Sequence, residues 1–149
     1  MESLKIPNFA KTTGSRGIHV YVPIVHGPTQ KQVWTFAKAF AQRLAAKNPR
    51  LITAEYRIAK RPAGRVLVDY NQNAWGRTLA SVYSVRPRPR APVSAPVTWK
   101  EVSGDIRIED FRLDNMRARL MKVGDLWKPL TAPKGRVRLE KYLNDFVPA

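Results

Sequence analysis

The stretch that organises this chain reads KTTGSRGIHVYVP, from Lys11 to Pro23. Its two glycines permit a tight turn, and the hydroxyl and basic side chains beside them can bind phosphate. Backbone N–H groups in such a turn can form an anion-binding nest, and Lys11 and Arg16 supply positive charge next to it. The same residue types also occur in ordinary surface loops. By itself, the stretch therefore leaves two interpretations open, a phosphate site and a plain turn.

A strand is predicted directly after the turn, from Ile18 to Val25. Branched apolar residues at alternate positions predict one face that is covered by helices, and His19 and Tyr21 fall on the opposite face. A histidine in a strand is either a structural residue or, after a glycine turn, a group that is presented to a ligand.

Two capping boxes predict where helices begin. Thr29 followed by Gln32 starts a helix that should end near Asn48, because a proline follows at position 49. Thr98 followed by Glu101 predicts a short helical turn. Helices are also predicted over 109–122 and 136–146, and further strands over 65–70 and 79–86.

Asp69 is the only aspartate in the first hundred residues, and it lies at the end of a predicted strand in a basic region. A carboxylate in that position could bind a divalent cation. It could equally form an ion pair with a neighbouring arginine.

Arginine and proline alternate from Arg86 to Pro92, which predicts a stiff, extended segment. Three arginines on such a segment can contact phosphate backbones, although a solvated linker has the same composition. Basic residues also occupy two predicted loops, at Lys60, Arg61 and Arg77.

Positive charge is concentrated in the first two thirds of the chain, which has 149 residues and a net charge of +16. Residues 1–100 contain 17 basic and 3 acidic residues, whereas residues 101–149 contain 10 and 8. This asymmetry is typical of proteins that bind polyanions, and a basic solvated surface is the alternative.

Other classes of protein are excluded by composition. Without cysteine, the chain can form neither a disulfide framework nor a thiolate metal site. No apolar run approaches the roughly 20 residues that span a bilayer, and the N-terminus does not have the pattern of a signal peptide. We therefore expect a cytoplasmic protein with no membrane partner, organised as one domain over residues 1–149.

Three motifs in this order closely resemble the polymerase domain of bacterial ligase D. They are KTTGSRGIH (11–19), RVLVDYNQN with GRT (65–78) and YSVRPRPRAPVS (83–94). That domain belongs to the archaeo-eukaryotic primase superfamily and serves non-homologous end joining. The resemblance covers about residues 9–99, and residues 100–149 are expected to form a helical C-terminal region.

The resemblance implies an α/β (α+β) fold, with a mixed or antiparallel sheet flanked by helices. It also implies a nucleoside triphosphate and DNA as partners, Mn²⁺ or Mg²⁺ as cofactor, and a nucleoid-associated location in a bacterium. Asp69, as a metal ligand, and His19 are the implied catalytic residues. Five residues are assigned to nucleotide phosphate: Thr13, Ser15, Arg16, His19 and Arg86. Five more are expected to contact DNA: Lys60, Arg61, Arg77, Arg88 and Arg90.

One part of the family pattern is absent from this sequence. The family holds two metal ions with an Asp-x-Asp pair in addition to the carboxylate at Asp69, and no Asp-x-Asp occurs in this chain. The chain therefore resembles the C-terminal half of the domain, and we expect it not to transfer nucleotides alone.

Three functions remain open on the sequence. The chain could bind nucleotide and DNA without catalysis, or it could be half of a split polymerase that needs a partner carrying the other half or a ligase module. It could also be a basic scaffold. A homodimer could cover a sheet edge left open.

Overall fold

In the computed structural model, which describes residues 5–146, the segment that leads into the glycine turn is itself a strand. This strand, β1 (Phe9–Thr12), pairs antiparallel with β2 (Ile18–Tyr21) on one side and with β5 (Pro96–Val97) on the other. The glycine turn is therefore the connection of a β-hairpin. The predicted fold class, a sheet of this kind flanked by helices, is confirmed.

The chain divides into two compact units. The first comprises Met1–Ile24 and Ala80–Val137, and the second comprises Val25–Leu79 and Arg138–Ala149. Whether residues 1–149 form one domain stays a prediction. Within the described residues, no helix combines the length and the apolar content that a membrane crossing requires.

The core of the first unit forms where β1 and β5 meet the segment before α3 (Leu113–Val123). Residues 93–95 are the most deeply buried part of it, with at most 1% of each residue exposed. Three partly buried side chains, Tyr83, Val102 and Ile106, pack against the core. The core residues are Ala10, Val93, Ala95, Val97, Phe111 and Met116.

The second unit is built on α1 (Gln30–Lys47), which begins at the predicted capping box. Thr29 Oγ1 accepts a hydrogen bond from the backbone N–H of Gln32, and Gln32 Oε1 accepts one from the backbone N–H of Thr29. A short parallel pair, β3 (Ile52–Thr53) and β4 (Val66–Leu67), also lies in this unit.

Four further helices follow in the described chain. The capping box of α2 (Trp99–Val102) is confirmed, whereas α3 (Leu113–Val123) and α5 (Glu140–Phe146) both begin later than predicted. A 3₁₀ turn, Ile108–Asp110, precedes α3. Val137, which was expected to be helical, pairs with Ile24 in an isolated β-bridge. The remaining helix is α4 (Lys128–Thr131).

Two strand predictions are corrected. The segment 79–86 forms turns, and Val85 alone makes a β-bridge, to Val93. The predicted alternation in β2 is correct, but the face predicted to be covered is the more exposed one. Ile18 and Val20 are 40% and 49% exposed, whereas His19 and Tyr21 are half-buried. The apolar pair lies on a strand at the edge of the described sheet, where fewer neighbours can cover it.

An ion pair joins α2 to α3 in the first unit. Arg119 binds both carboxylate oxygens of Glu101, at 2.6 and 3.0 Å. It also donates to the carbonyl oxygen of Pro96 at 3.0 Å and lies over the ring of Phe111. The hydrogen bond from Arg119, helped by those from Thr98, lowers the pKa of Glu101 to about 2.

We expect Glu101→Gln to reduce the free energy of unfolding by about 1.5–3 kcal/mol at neutral pH, because a charged hydrogen-bond pair is lost. The folded pKa of Glu101 lies below its ordinary value of 4.5. Its contribution to the free energy of unfolding is therefore complete above about pH 4.5 and is lost as the pH falls towards 2.

Urea denaturation of both proteins from pH 7 to pH 2.5 measures this difference. Glu109→Gln is the control, since Glu109 is exposed in the same unit and its replacement should change stability by less than about 0.5 kcal/mol. A stability difference for Glu101→Gln that did not shrink in acid would contradict the assignment.

Candidate functional site

The glycine turn is closed by its own threonine. The hydroxyl oxygen of Thr13 accepts hydrogen bonds from the backbone N–H groups of Ser15 (3.0 Å) and Gly17 (3.2 Å), and Thr13 N donates to Gly17 O. These two amides are therefore not available to an anion, and the predicted nest is wrong for them. Ser15 is half-buried and Arg16 is exposed.

Arg86 crosses this turn at Gly14. Gly14 has a φ of +63°, and a Cβ placed on it would overlap Cγ of Arg86. The Nε atom of Arg86 is buried and has no hydrogen-bond partner among residues 5–146. The structure thus packs the stem of Arg86 on Gly14, in the turn that also contains Thr13, Ser15 and Arg16.

Lys11 does not contribute surface charge, contrary to the sequence-based expectation. It is 0% exposed, and its ammonium donates to Ser94 Oγ at 2.6 Å and to the carbonyl oxygen of Ala80 at 2.9 Å. The ammonium also lies 5.7 Å from the ring centre of Tyr21. Burial, with repulsion from Arg86, lowers the pKa of Lys11 to about 8. Lys11 therefore joins β1 to Ser94 and to the backbone of Ala80.

His19 lies directly opposite Lys11 in the β1–β2 register, so both side chains are on one face of the sheet. Its ring is edge-on to Tyr21, and Tyr21 in turn packs edge-on against Trp127 at 4.9 Å. Burial raises the pKa of Tyr21. This aromatic row limits the orientations that His19 can adopt.

The arginine and proline segment is a hairpin, not the extended strap that its composition predicts. Val85 pairs with Val93, and Ala91 N donates to the carbonyl oxygen of Arg88 at 3.0 Å. Arg90 and Ala91 both have positive φ, at 64° and 43°. We call residues 85–93 the arginine hairpin. Arg88 and Arg90 are exposed near its tip.

Asp69 lies in the second unit, two residues before a 3₁₀ turn, Asn71–Asn73. Its two oxygens accept from the backbone N–H of Asn71 (2.8 Å) and from the side chain of Gln72 (3.3 Å). Among residues 5–146 it forms no ion pair, and no group of three His, Cys, Asp or Glu side chains could hold a metal ion. The residues described therefore do not fit a two-metal centre.

The remaining predicted DNA-binding residues also lie in the second unit. Lys60 ends a 3₁₀ turn and is exposed, and so is Arg77. Arg61 is partly committed to its own loop, since it donates to the carbonyl oxygens of Glu55 and Tyr56. Its DNA role, like those of the others, stays a prediction.

Comparison with known proteins gives consistent matches. The family profile described as "LigD, primase-polymerase domain" matches residues 1–127. The multifunctional non-homologous end joining protein LigD of Mycolicibacterium smegmatis is 36% identical over 132 residues, which are 89% of this chain and 17% of that protein. The bifunctional LigD of Bacillus subtilis is 30% identical over 125 residues, 83% of this chain and 20% of that protein.

A solved structure matches as well. The polymerase domain of Mycobacterium tuberculosis ligase D in complex with DNA superposes with a TM-score of 0.80 at 33% identity. The match covers 89% of this chain and 46% of that one. The chain thus spans about half of that polymerase domain and under a quarter of the full-length relatives.

We expect Gly14→Ala to cost more stability than a glycine replacement in open space. Gly64 is the matched control, because its φ of +71° is similar and nothing lies within 4 Å of its missing Cβ. Gly64→Ala should cost about 1 kcal/mol from the left-handed backbone alone. Gly14→Ala should cost about 2 kcal/mol or more, because Arg86 must also move. Equal losses in urea denaturation would show that Arg86 does not pack on the turn.

Proposed function

Because this chain belongs to the primase-polymerase family of LigD, we propose that it is a nucleotide- and DNA-binding module of bacterial non-homologous end joining. We place it in the bacterial cytoplasm, in association with the nucleoid. The family is established by the profile match over residues 1–127 and by relatives that are at least 30% identical. The partners of this chain are our inference.

The packing of Arg86 across the glycine turn carries the nucleotide part of the proposal. The stem of Arg86 packs on Gly14, and its buried Nε has no hydrogen-bond partner among residues 5–146. Thr13, Ser15 and Arg16 belong to the same turn. Phosphate oxygens are the acceptors that best match a planar guanidinium. In this proposal, Arg86 holds a triphosphate oxygen, and His19 approaches the same group from β2.

The DNA part rests on charge and exposure. The proposed contacts are exposed or half-buried basic side chains. The similar solved structure, the polymerase domain of Mycobacterium tuberculosis ligase D, is a complex with DNA. Phosphate contacts of this type bind DNA without regard to sequence and weaken as salt rises. The residues we propose are Lys60, Arg61, Arg77, Arg88 and Arg90.

We further propose that the chain alone does not transfer nucleotides. Two divalent cations in a basic environment need several carboxylates, and Asp69 is the only one that the motifs supply. The absence of an Asp-x-Asp pair also supports a second candidate, a polymerase that is completed by a partner chain.

We expect Arg86→Gln to weaken nucleoside triphosphate binding about tenfold, since loss of one charged hydrogen bond is worth about 1.4 kcal/mol or more. Arg117→Gln is the control: it removes the same charge from an exposed position on α3. Titration of a fluorescent nucleotide measures both variants. Equal losses would indicate general electrostatic attraction, and no loss from Arg86→Gln would contradict the assigned site.

With Mn²⁺, nucleoside triphosphates and a primed DNA end, we expect no extension by the purified chain. The control is the polymerase domain of the Mycobacterium tuberculosis relative under the same conditions. Robust extension by the lone chain would contradict the proposal. Extension that appears only after a polypeptide with the Asp-x-Asp pair is added would favour the split polymerase.

A further inference from the structure

Trp75 is the most exposed large apolar side chain of the described residues, with 88% of its surface accessible. It belongs to a basic segment of the chain, since residues 25–79 contain ten basic and two acidic residues. At this exposure the ring is accessible for stacking against a ligand. No sequence motif of the site includes this residue.

A tight turn displays the Trp75 ring. Arg77 N donates to the carbonyl oxygen of Ala74 at 3.3 Å, and Gly76 has a φ of +72°. This is the pattern of a type II turn, in which the third position needs a positive φ and glycine supplies it. Trp75 therefore occupies the second, outward position of the turn, and a cationic side chain, Arg77, follows two residues later.

The base of this turn is anchored to α1. Ala74 N donates to Asn71 O, and Asn71 Oδ1 accepts a hydrogen bond from the indole N–H of Trp34 at 3.2 Å. The Trp34 ring also packs edge-on against Tyr70. The anchored turn already holds the backbone at Trp75, so stacking on a ligand has to order only the side chain.

We propose that Trp75 is a stacking platform for an unpaired base of single-stranded DNA, with Arg77 contacting the adjacent phosphate. Aromatic rings stack on bases of any sequence, and a neighbouring cation fixes the backbone. A paired base has its faces covered by its neighbours in the duplex, so the site selects unpaired strands. This inference rests on the proposed DNA binding.

The test compares two probes with the same phosphate charge. One is a thymidine oligonucleotide of about 12 nucleotides, and the other is an abasic strand of equal length. We expect the wild-type protein to bind the thymidine strand about tenfold more tightly and to lose tryptophan fluorescence on binding. Trp75→Leu should remove the preference and most of the quenching, whereas Trp75→Phe should keep part of the preference.

Trp99→Leu is the matched control, because Trp99 is 45% exposed in the first unit and its replacement should leave the preference within twofold. DNA binding with no preference for bases, or a preference that survives Trp75→Leu, overturns the platform while the proposed DNA binding stands. Failure of the wild-type protein to bind either strand at about 50 mM salt would contradict both the stacking platform and the proposed DNA binding. A dimer that Trp75→Leu dissociates would show that a second copy covers the ring, which also overturns the platform.

Discussion

The candidate site depends on a buried polar network that joins segments more than 80 residues apart in the sequence. The ammonium of Lys11 donates to Ser94 Oγ, which in turn donates to the carbonyl oxygen of Thr12 at 2.7 Å. Thr12 Oγ1 donates to Val93 O and accepts from Ala95 N. A buried ammonium without partners would be costly, so this arrangement is stable only when each group keeps its partners. It fixes β1 against residues 93–95 and thereby fixes where the glycine turn begins and where the arginine hairpin returns.

Close packing at Gly14 follows from that constraint. Ser94 is held against β1, and the segment from Ser94 back to Arg86 passes over the glycine turn. Only a residue without Cβ at position 14 leaves room there for the stem of Arg86. The turn between Arg88 and Ala91 then has to reverse the chain within a few residues. It does so with a non-glycine residue, Arg90, at positive φ. Such backbone strain persists only where surrounding contacts impose it, and it is most common near binding sites.

Local signals in the sequence predicted local structure well. The capping boxes at Thr29 and Thr98 are complete within four residues, so no distant contact was needed to predict where α1 and α2 begin. The strand β1 was missed because its four residues, FAKT, do not alternate between apolar and polar, so only its pairing with β2 and β5 identifies it. The exposure of Val20 was missed for a related reason: alternation shows which residues share a face, but only the sheet order shows that β2 lies at an edge.

In the candidate site, too, residue types could be predicted from the sequence, whereas burial and contacts between distant segments could not. The motifs predicted a phosphate site that includes Thr13 and Arg86, and this role stays a prediction. The structure packs Arg86 on Gly14, the residue after Thr13. Residue type alone could not separate Lys11 from Arg16, since both are cations beside the same glycines, and only burial makes the first a structural residue. Recognition of a polyphosphate needs donors and positive charge, whereas metal-assisted transfer needs several carboxylates at one point. The described residues offer donors and positive charge but no such group of carboxylates, and the oxygens of Asp69 accept hydrogen bonds from Asn71 and Gln72.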